Sequence, residues 1–145
     1  MDSQDEGYLR AAIRLASEAR QAGDQPYGAL LVAADGTVLA EDRNTVVTER
    51  DIAAHPELKL ARWAARELSL PTARTTTMHT SCQPCPMCTN AIARANLARV
   101  VYALAGDQLH NLKPPGSVYP DAAQVVYDGP ALFDEARVPI DGFYS

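Results

Sequence analysis

The sequence predicts an α/β fold in which a central mixed sheet of about five strands lies between layers of helices. Two observations support this prediction. Two apolar runs, residues 27–34 and 37–40, flank an Asp-Gly pair, which is a strong signal for a β-hairpin. Strand, helix and strand then alternate along the chain, an order that favours a three-layer α/β/α arrangement. Because the chain has 145 residues, we expect a single domain over residues 1–145.

The elements before and after the hairpin have local signals of their own. Ser3 and Glu6 have the spacing of a capping box, and apolar residues recur at helical spacing from Leu9 until Gly23 ends the first helix. Pro56 suits the first turn of a second amphipathic helix. The pattern predicts this helix over 55–68, a strand over 75–81, a helix ending near 96, a strand over 100–103, mostly loop over 106–120, a strand over 124–127 and a helix over 131–137.

Composition and charge narrow the classes of function. Hydrophobic residues make up 47% of the chain and charged residues 21%, as in ordinary globular proteins. No apolar run approaches the length of a membrane span, and the polar, acidic start is unlike a secretory signal, so we expect a cytoplasmic protein with no membrane partner. The net charge of −5 and pI of about 5.1 argue against a nucleic-acid partner and favour a small, neutral ligand.

The cysteines point to a metal. All three lie within residues 82–88, a grouping that favours metal chemistry over a disulfide framework. Cys85 and Cys88 have the Cys-x-x-Cys spacing that lets two thiolates bind one ion, and His55 supplies a nitrogen at a helix start. Zinc prefers tetrahedral nitrogen and sulfur sites, and three protein ligands leave a fourth position for water, as in catalytic sites. Glu57, two residues beyond His55, is placed to move protons at such a site.

His-Pro-Glu followed by Pro-Cys-Pro-Met-Cys resembles the signature of the zinc nucleobase and nucleoside deaminases. The stretches PYGALLV, ADGTVLAEDRN and TSCQPCPMCTNAI are similar to the guanine and cytosine deaminase branch and to tRNA adenosine deaminases, over roughly residues 5–105. The resemblance implies a cytidine deaminase-like fold and a hydrolytic deaminase that releases ammonia from a small amino-substituted heterocycle. It implies zinc bound by His55, Cys85 and Cys88, with Glu57 as the catalytic proton carrier.

The resemblance also implies substrate-binding groups and an assembly. Asn44 matches an asparagine that binds the substrate ring, and the carbonyl of Gln83 matches one that accepts a hydrogen bond from the departing amino group. Independently of the resemblance, the N–H of Cys85 lies at a helix start, where it is placed to hold the developing oxyanion. A homodimer is expected. From its place after a strand, Asp107 is a further pocket candidate. Four residues near the C-terminus are candidates to close the pocket by location: Phe133, Asp141, Phe143 and Tyr144.

Two positions depart from the family pattern. Pro56 stands where relatives usually have a residue with a backbone N–H, which in several of them binds the substrate. Gln83 stands where relatives often carry Glu, so a charge next to the metal ligands is missing. Specificity for guanine or cytosine therefore does not transfer directly to this chain, and an aminated s-triazine remains a candidate substrate.

Two other functions compete with a free-base deaminase. A tRNA adenosine deaminase would use the same chemistry but needs a basic surface around its pocket. In the other alternative, Cys82 joins the metal ligands in a closed Cys3His site, and the chain is a non-catalytic zinc module that binds a partner protein. His79 has the strand parity opposite to that of Thr80 and Cys82, and is expected to be a packed or a surface residue rather than a metal ligand.

Overall fold

The structure is a computed structural model that describes residues 1–115 and 125–145. The chain divides into two compact units, Met1–Pro114 and Pro115–Ser145. The first contains the sheet and the helices that flank it, and the second contains one short helix among its described residues. The single deaminase domain expected over residues 1–145 stays a prediction.

The sheet has four strands among the described residues: β1 (Gly28–Val32), β2 (Val38–Arg43), β3 (Thr77–Cys82) and β4 (Arg99–Leu104). Their order is β2-β1-β3-β4, with β1 antiparallel to both of its neighbours and β3 parallel to β4. The mixed sheet is confirmed, and so is the hairpin, whose turn places Gly36 at φ 90°. Of the strand predicted over 124–127, residue 124 lies outside the described residues and 125–127 form no strand, because an apolar run also needs a paired neighbour.

Seven helices are present in the described residues: α1 (Ser3–Gln21), α2 (Val46–Glu49), α3 (Pro56–Glu67), α4 (Leu70–Thr75), α5 (Pro86–Arg94), α6 (Gly106–Leu112) and α7 (Phe133–Ala136). None of the helices in these ranges is long and apolar enough to cross a membrane. α6 replaces part of a segment predicted as loop. The prolines that suggested a loop begin at Pro114, beyond its end, and the Gln108 side chain accepts a hydrogen bond from Ala105 N–H at 2.9 Å to cap its start.

The N-cap of helix α1 lies one residue earlier than predicted. Asp2 is the N-cap, and its carboxylate accepts a hydrogen bond from Asp5 N–H at 2.9 Å. The Asp5 carboxylate in turn accepts a hydrogen bond from Asp2 N–H at 3.1 Å. The capping box therefore uses Asp2 and Asp5 in place of Ser3 and Glu6, because an aspartate at either position can satisfy the free N–H groups of the first turn.

The three layers follow from the alternation of side chains along β1. Leu30 and Val32 pack with Ala12 of α1 on one face of the sheet. Ala29 and Leu31 point to the other face, where they pack with residues of α3 and α5. Because β1 is covered on both faces, all five of its residues are buried and its sequence is an unbroken apolar run. The predicted α/β/α arrangement is confirmed in the first unit.

Candidate active site

The site forms where the N-termini of α3 and α5 meet on the same face of the sheet. His55 is the N-cap of α3 and Pro56 its first residue, while Cys85 is the N-cap of α5 and Pro86 its first residue. Proline suits this position because its φ is already helical and the first turn needs no N–H from it. Both helices therefore begin directly after a residue of the site.

Three side chains converge here. Nδ1 of His55 lies 3.6 Å from Sγ of Cys85 and 3.4 Å from Sγ of Cys88, and all three atoms lie within 4.8 Å of one another. In tetrahedral zinc sites with Zn–S of about 2.3 Å and Zn–N of about 2.1 Å, nitrogen and sulfur ligands lie about 3.5 Å apart. The observed nitrogen–sulfur distances match this value. Within residues 1–115 and 125–145 this is the one such cluster, and Cys82 does not belong to it.

The protonation chemistry of the cluster also suits a cation. Burial lowers the pKa of His55, which favours the neutral imidazole that binds metals. Burial raises the pKa of the Cys88 thiol, and the nearby Glu57 and Cys85 raise it further. A divalent cation reverses this effect on the thiol because the metal replaces the proton on sulfur. The donor set therefore fits zinc.

Glu57 lies beside the cluster without belonging to it. The residue is only 5% exposed, and its Oε1 accepts a hydrogen bond from the Thr80 hydroxyl at 2.8 Å. Burial raises the pKa of Glu57, while hydrogen bonds from Thr80 and Cys88 act in the opposite direction. A carboxyl group with a raised pKa next to a metal site is suited to accept and return a proton near neutral pH.

Comparison with known proteins identifies the family. The profile described as the cytidine and deoxycytidylate deaminase zinc-binding region matches residues 2–104. The chain belongs to this deaminase family. Guanine deaminase of Bacillus subtilis (strain 168) is 34% identical over 137 residues, which cover 94% of this chain and 79% of that protein. The crystal structure of guanine deaminase from Bacillus subtilis matches with a TM-score of 0.75 and 30% identity, covering 97% of this chain and 92% of that chain.

A second kind of deaminase is also similar. The tRNA-specific adenosine deaminase of Bacillus subtilis (strain 168) is 33% identical over 100 residues, which cover 69% of this chain and 62% of that protein. The resemblance seen in the sequence is thus confirmed, and so is the cytidine deaminase-like fold. The chain is a zinc-dependent hydrolytic deaminase.

Asn44, predicted to bind substrate, is 1% exposed in this deaminase, and its side-chain amide makes two hydrogen bonds. Its Oδ1 accepts a hydrogen bond from Val46 N–H at 2.9 Å, and its Nδ2 donates to Oε1 of Gln25 at 3.2 Å. Each group keeps one further hydrogen-bonding capacity, since an amide carries two lone pairs and two N–H bonds. Its role toward substrate stays a prediction.

The loop that carries Asn44 is fixed next to His55 by contacts that the sequence did not reveal. Thr45 N–H donates to the carbonyl of Ala54 at 3.1 Å, directly before His55. The Lys59 ammonium of α3 donates to Asp42 at 2.9 Å, to the Arg43 carbonyl at 2.8 Å and to the Thr45 hydroxyl at 3.0 Å. The end of β2 and the start of α3 therefore hold a fixed relative position.

Gln83 and Cys85, the other predicted substrate-binding residues, connect β3 to α5. Gln83 N–H donates to the Leu104 carbonyl at 2.7 Å, and its side-chain Oε1 accepts from Gly106 N–H at 2.9 Å. The amide at the position where relatives often carry Glu thus holds the start of α6. The backbone groups of Gln83 and Cys85 stay predicted substrate contacts.

The remaining candidates lie elsewhere. Asp107 is in the first turn of α6, where it accepts a hydrogen bond from Gln108 N–H. His79 is buried against α1 and bonded to Asp5, so of the two predicted alternatives, packed or surface, it is packed. The C-terminal candidates belong to the second unit, where Phe143 and Tyr144 meet edge to face and Asp141 pairs with Arg137 at 3.0 Å. Pocket roles for Asp107, Phe133, Asp141, Phe143 and Tyr144 stay predictions.

Proposed function

We propose that this deaminase acts on a free nucleobase or a closely related small heterocycle, with guanine as the first substrate to test. The observation that carries the proposal is the similarity to a guanine deaminase, which covers 94% of the chain and extends beyond the zinc-binding region. The net charge of −5 supports it, because a small neutral base needs no basic surface.

In this proposal, His55, Cys85 and Cys88 hold the zinc. Their ligand atoms lie within 4.8 Å of one another, and the helix N-termini that begin at His55 and Cys85 add favourable partial positive charge near the thiolates. When bound, zinc supplies Lewis acidity that makes water a usable nucleophile near neutral pH.

Glu57 would carry the protons of the reaction. The oxygen of the attacking water adds to the ring carbon that bears the amino group, and Glu57 accepts the proton released from that water. It passes this proton to the adjacent ring nitrogen, which neutralises the charge that develops there. A second proton, from the hydroxyl group now on that carbon, goes by way of Glu57 to the amino group. The carbon–nitrogen bond then breaks, ammonia leaves, and the carbon becomes a ring carbonyl. One water is consumed for each ammonia released.

Backbone groups around the site would hold the substrate in place. The N–H of Cys85 faces no helical acceptor at its cap position and would donate to the developing oxyanion. The carbonyl of Gln83 would accept from the departing amino group, and the free amide capacity of Asn44 would bind the ring. Pro56 offers no N–H to the substrate, so recognition must differ from that of relatives that use one.

The test is ammonia release from a panel of guanine, cytosine, adenine, their nucleosides and amino-substituted s-triazines. We expect release from at least one free base, with guanine fastest. Enzyme that contains zinc and releases ammonia from none of the free bases or triazines would refute the proposal.

Deamination of adenosine in tRNA is the second candidate, supported by the similar tRNA-specific adenosine deaminase. It predicts turnover of a tRNA anticodon stem-loop that falls steeply with added salt, because phosphate contacts release counterions. Free-base turnover should change little between 50 and 200 mM salt. Two further expectations accompany the proposal: a homodimer, measurable by light scattering, and a cytoplasmic location, which suits three cysteines that form no disulfide.

A further inference from the structure

The inference concerns the side chain beneath the Glu57 carboxylate. Thr80 lies on β3 and is completely buried. It shares a face of the sheet with Met78, which packs with the α3 and α5 residues, because side chains two apart point the same way. Its Oγ1 is 2.8 Å from Oε1 of Glu57. The Thr80 hydroxyl of β3 therefore donates a hydrogen bond to the Glu57 carboxylate in the first turn of α3.

We propose that Thr80 is a positioning residue, whose hydroxyl fixes the orientation of the Glu57 carboxylate for proton transfer. This inference rests on the proposed role of Glu57. The contact is short, buried and made to a carboxylate, the conditions under which hydrogen bonds are strongest. Misplacement of a catalytic group by about 1 Å costs on the order of 100-fold in rate.

The surroundings of the hydroxyl allow it to stay bonded throughout turnover. Besides Glu57, it has two acceptors within reach: the carbonyl of Cys82 at 3.1 Å and the carbonyl of Gly28 at 3.4 Å. When Glu57 is ionised, the Thr80 proton points to the carboxylate. While Glu57 holds a proton between its transfers, it can donate to the Thr80 oxygen, whose own proton then turns to the Cys82 carbonyl. One side chain therefore supports both forms of Glu57.

A purely structural role would make different predictions. If Thr80 only fills space between the sheet and α3, then Thr80→Val should be harmless, because valine has nearly the same shape and suits a strand equally well. Thr80→Ser would then be the more damaging change, because it leaves a space where the methyl group was. If the hydroxyl orients Glu57, the order is reversed.

The experiment compares Thr80→Val and Thr80→Ser with wild type on the free base that wild type deaminates fastest, and measures zinc content for each variant. We expect Thr80→Val to lower kcat by about 10- to 100-fold with KM within about threefold and zinc content unchanged. Thr80→Ser should restore most of the lost kcat. A Thr80→Val enzyme within twofold of wild type, or a serine variant as slow as the valine variant, would overturn the inference.

Measuring the effect of Thr80→Val in the Glu57→Gln variant as well as in wild type distinguishes a failure of this inference from a failure of the proposed function. In Glu57→Gln, adding Thr80→Val should lower kcat little further, because both changes act on the same group. The same fold loss in both backgrounds would show that Thr80 acts elsewhere. Full activity of Glu57→Gln alone would refute the role of Glu57, and the inference with it. Crystal structures supply a readout independent of turnover: we expect the Glu57 carboxylate to rotate or split in Thr80→Val, and an unmoved carboxylate contradicts the inference.

Discussion

At the scale of single residues, the site depends on the position that each side chain takes at a helix start. His55 and Cys85 are both N-caps, and in each helix a proline follows. At an N-cap the backbone is still extended, so the side chain points away from the helix body while the first N–H groups point in the same direction. The two ligand-bearing turns therefore face each other, and Glu57 in the first turn of α3 is held close to them.

The first prediction tests the proton carrier. Glu57→Gln keeps the size of the side chain and can still accept a hydrogen bond from Thr80, but it cannot take up and return a proton. We expect kcat to fall by about 100- to 10,000-fold, which is the usual contribution of general acid–base catalysis, and the zinc content to stay unchanged. Ammonia release and metal analysis on the same sample measure both quantities. Glu18→Gln, which removes an exposed carboxylate of α1, is the control and should leave kcat unchanged.

A second prediction tests substrate binding by Asn44. Asn44→Asp keeps an oxygen to accept from Val46 N–H, and the Gln25 amide can turn over and donate to the new carboxylate. The fold of the loop is thus retained, while the donor to the substrate is lost. We expect KM for the preferred base to rise by about 10-fold or more, since unpaired polar groups on the bound ring are costly. An unchanged KM would show that the Asn44 side chain only stabilises its turn.

The sequence identifies the site residues that belong to a motif, but it does not identify the neighbouring residue that orients one of them. The motif predicts the metal ligands and the proton carrier because few other roles require those residue types at that spacing; these residues are His55, Cys85, Cys88 and Glu57. For Thr80 the sequence predicts only a place in a strand, since its β-branched shape explains its presence there without any site. Its parity with Cys82 was the available signal, but pairing it with Glu57 requires knowing that α3 crosses that face of β3.

At the scale of elements, an ion-pair network around one buried carboxylate attaches α1 to the sheet. Asp5 of α1 is 5% exposed, accepts two hydrogen bonds from the Arg99 guanidinium of β4 at 2.7 and 3.1 Å, and lies 2.8 Å from Nε2 of His79 on β3. The hydrogen bonds from Arg99 and then from His79 hold the pKa of Asp5 well below its ordinary value. One carboxylate therefore connects the helix to both parallel strands.

The third prediction concerns the pH dependence that this network gives to stability. Because the pKa of Asp5 is lower in the folded state, its contribution is complete above the unfolded pKa of about 4 and is lost as pH falls toward the folded pKa. Asp5→Asn should lower the free energy of unfolding by about 2 kcal/mol at pH 7. Urea unfolding at pH 7 and pH 3 should show a smaller difference between the two proteins at the lower pH.

Glu18→Gln provides the matched control for Asp5→Asn, because it removes a carboxylate from the exposed side of the same helix. Its free energy of unfolding should stay within about 0.5 kcal/mol of wild type at both pH values. A difference between Asp5→Asn and wild type that is equally large at pH 3 would show that the ionisation of Asp5 is not what attaches α1.

The limits of sequence-based prediction at this scale have physical causes. The sequence predicts helices α1, α3 and α5 to within a few residues because each has one buried face, and strands β1 and β3 because each is a nearly unbroken buried run. Strand β2 has no buried residue, and its signal is its apolar run after the Asp-Gly turn. The α6 segment lacks such a face, since no residue between Gly106 and Leu112 is buried. Its start is stabilised instead by Gln83 and Gln108, which accept from backbone N–H groups, one of them across a distance of 23 residues in sequence.

At the scale of the whole molecule, the metal ligands connect distant parts of the chain. His55 begins α3 after the hairpin, whereas Cys85 and Cys88 begin α5 after β3, and these two helices pack against each other and against β1. An ion bound by all three residues closes the chain segment between them. A cation that binds only the folded arrangement adds to stability by mass action.

The last prediction therefore concerns the dependence of Tm on bound zinc. Removing zinc with a chelator should lower the Tm of wild type by several degrees, and added zinc should restore it, since a ligand at 100 times its Kd contributes about 2.7 kcal/mol. His55→Ala should have a low Tm that the chelator barely changes. His110→Ala, which alters an exposed histidine in α6, should respond to the chelator as wild type does. Scanning fluorimetry with and without chelator measures all three, and a His55→Ala protein that still loses stability with the chelator would place the zinc on other residues.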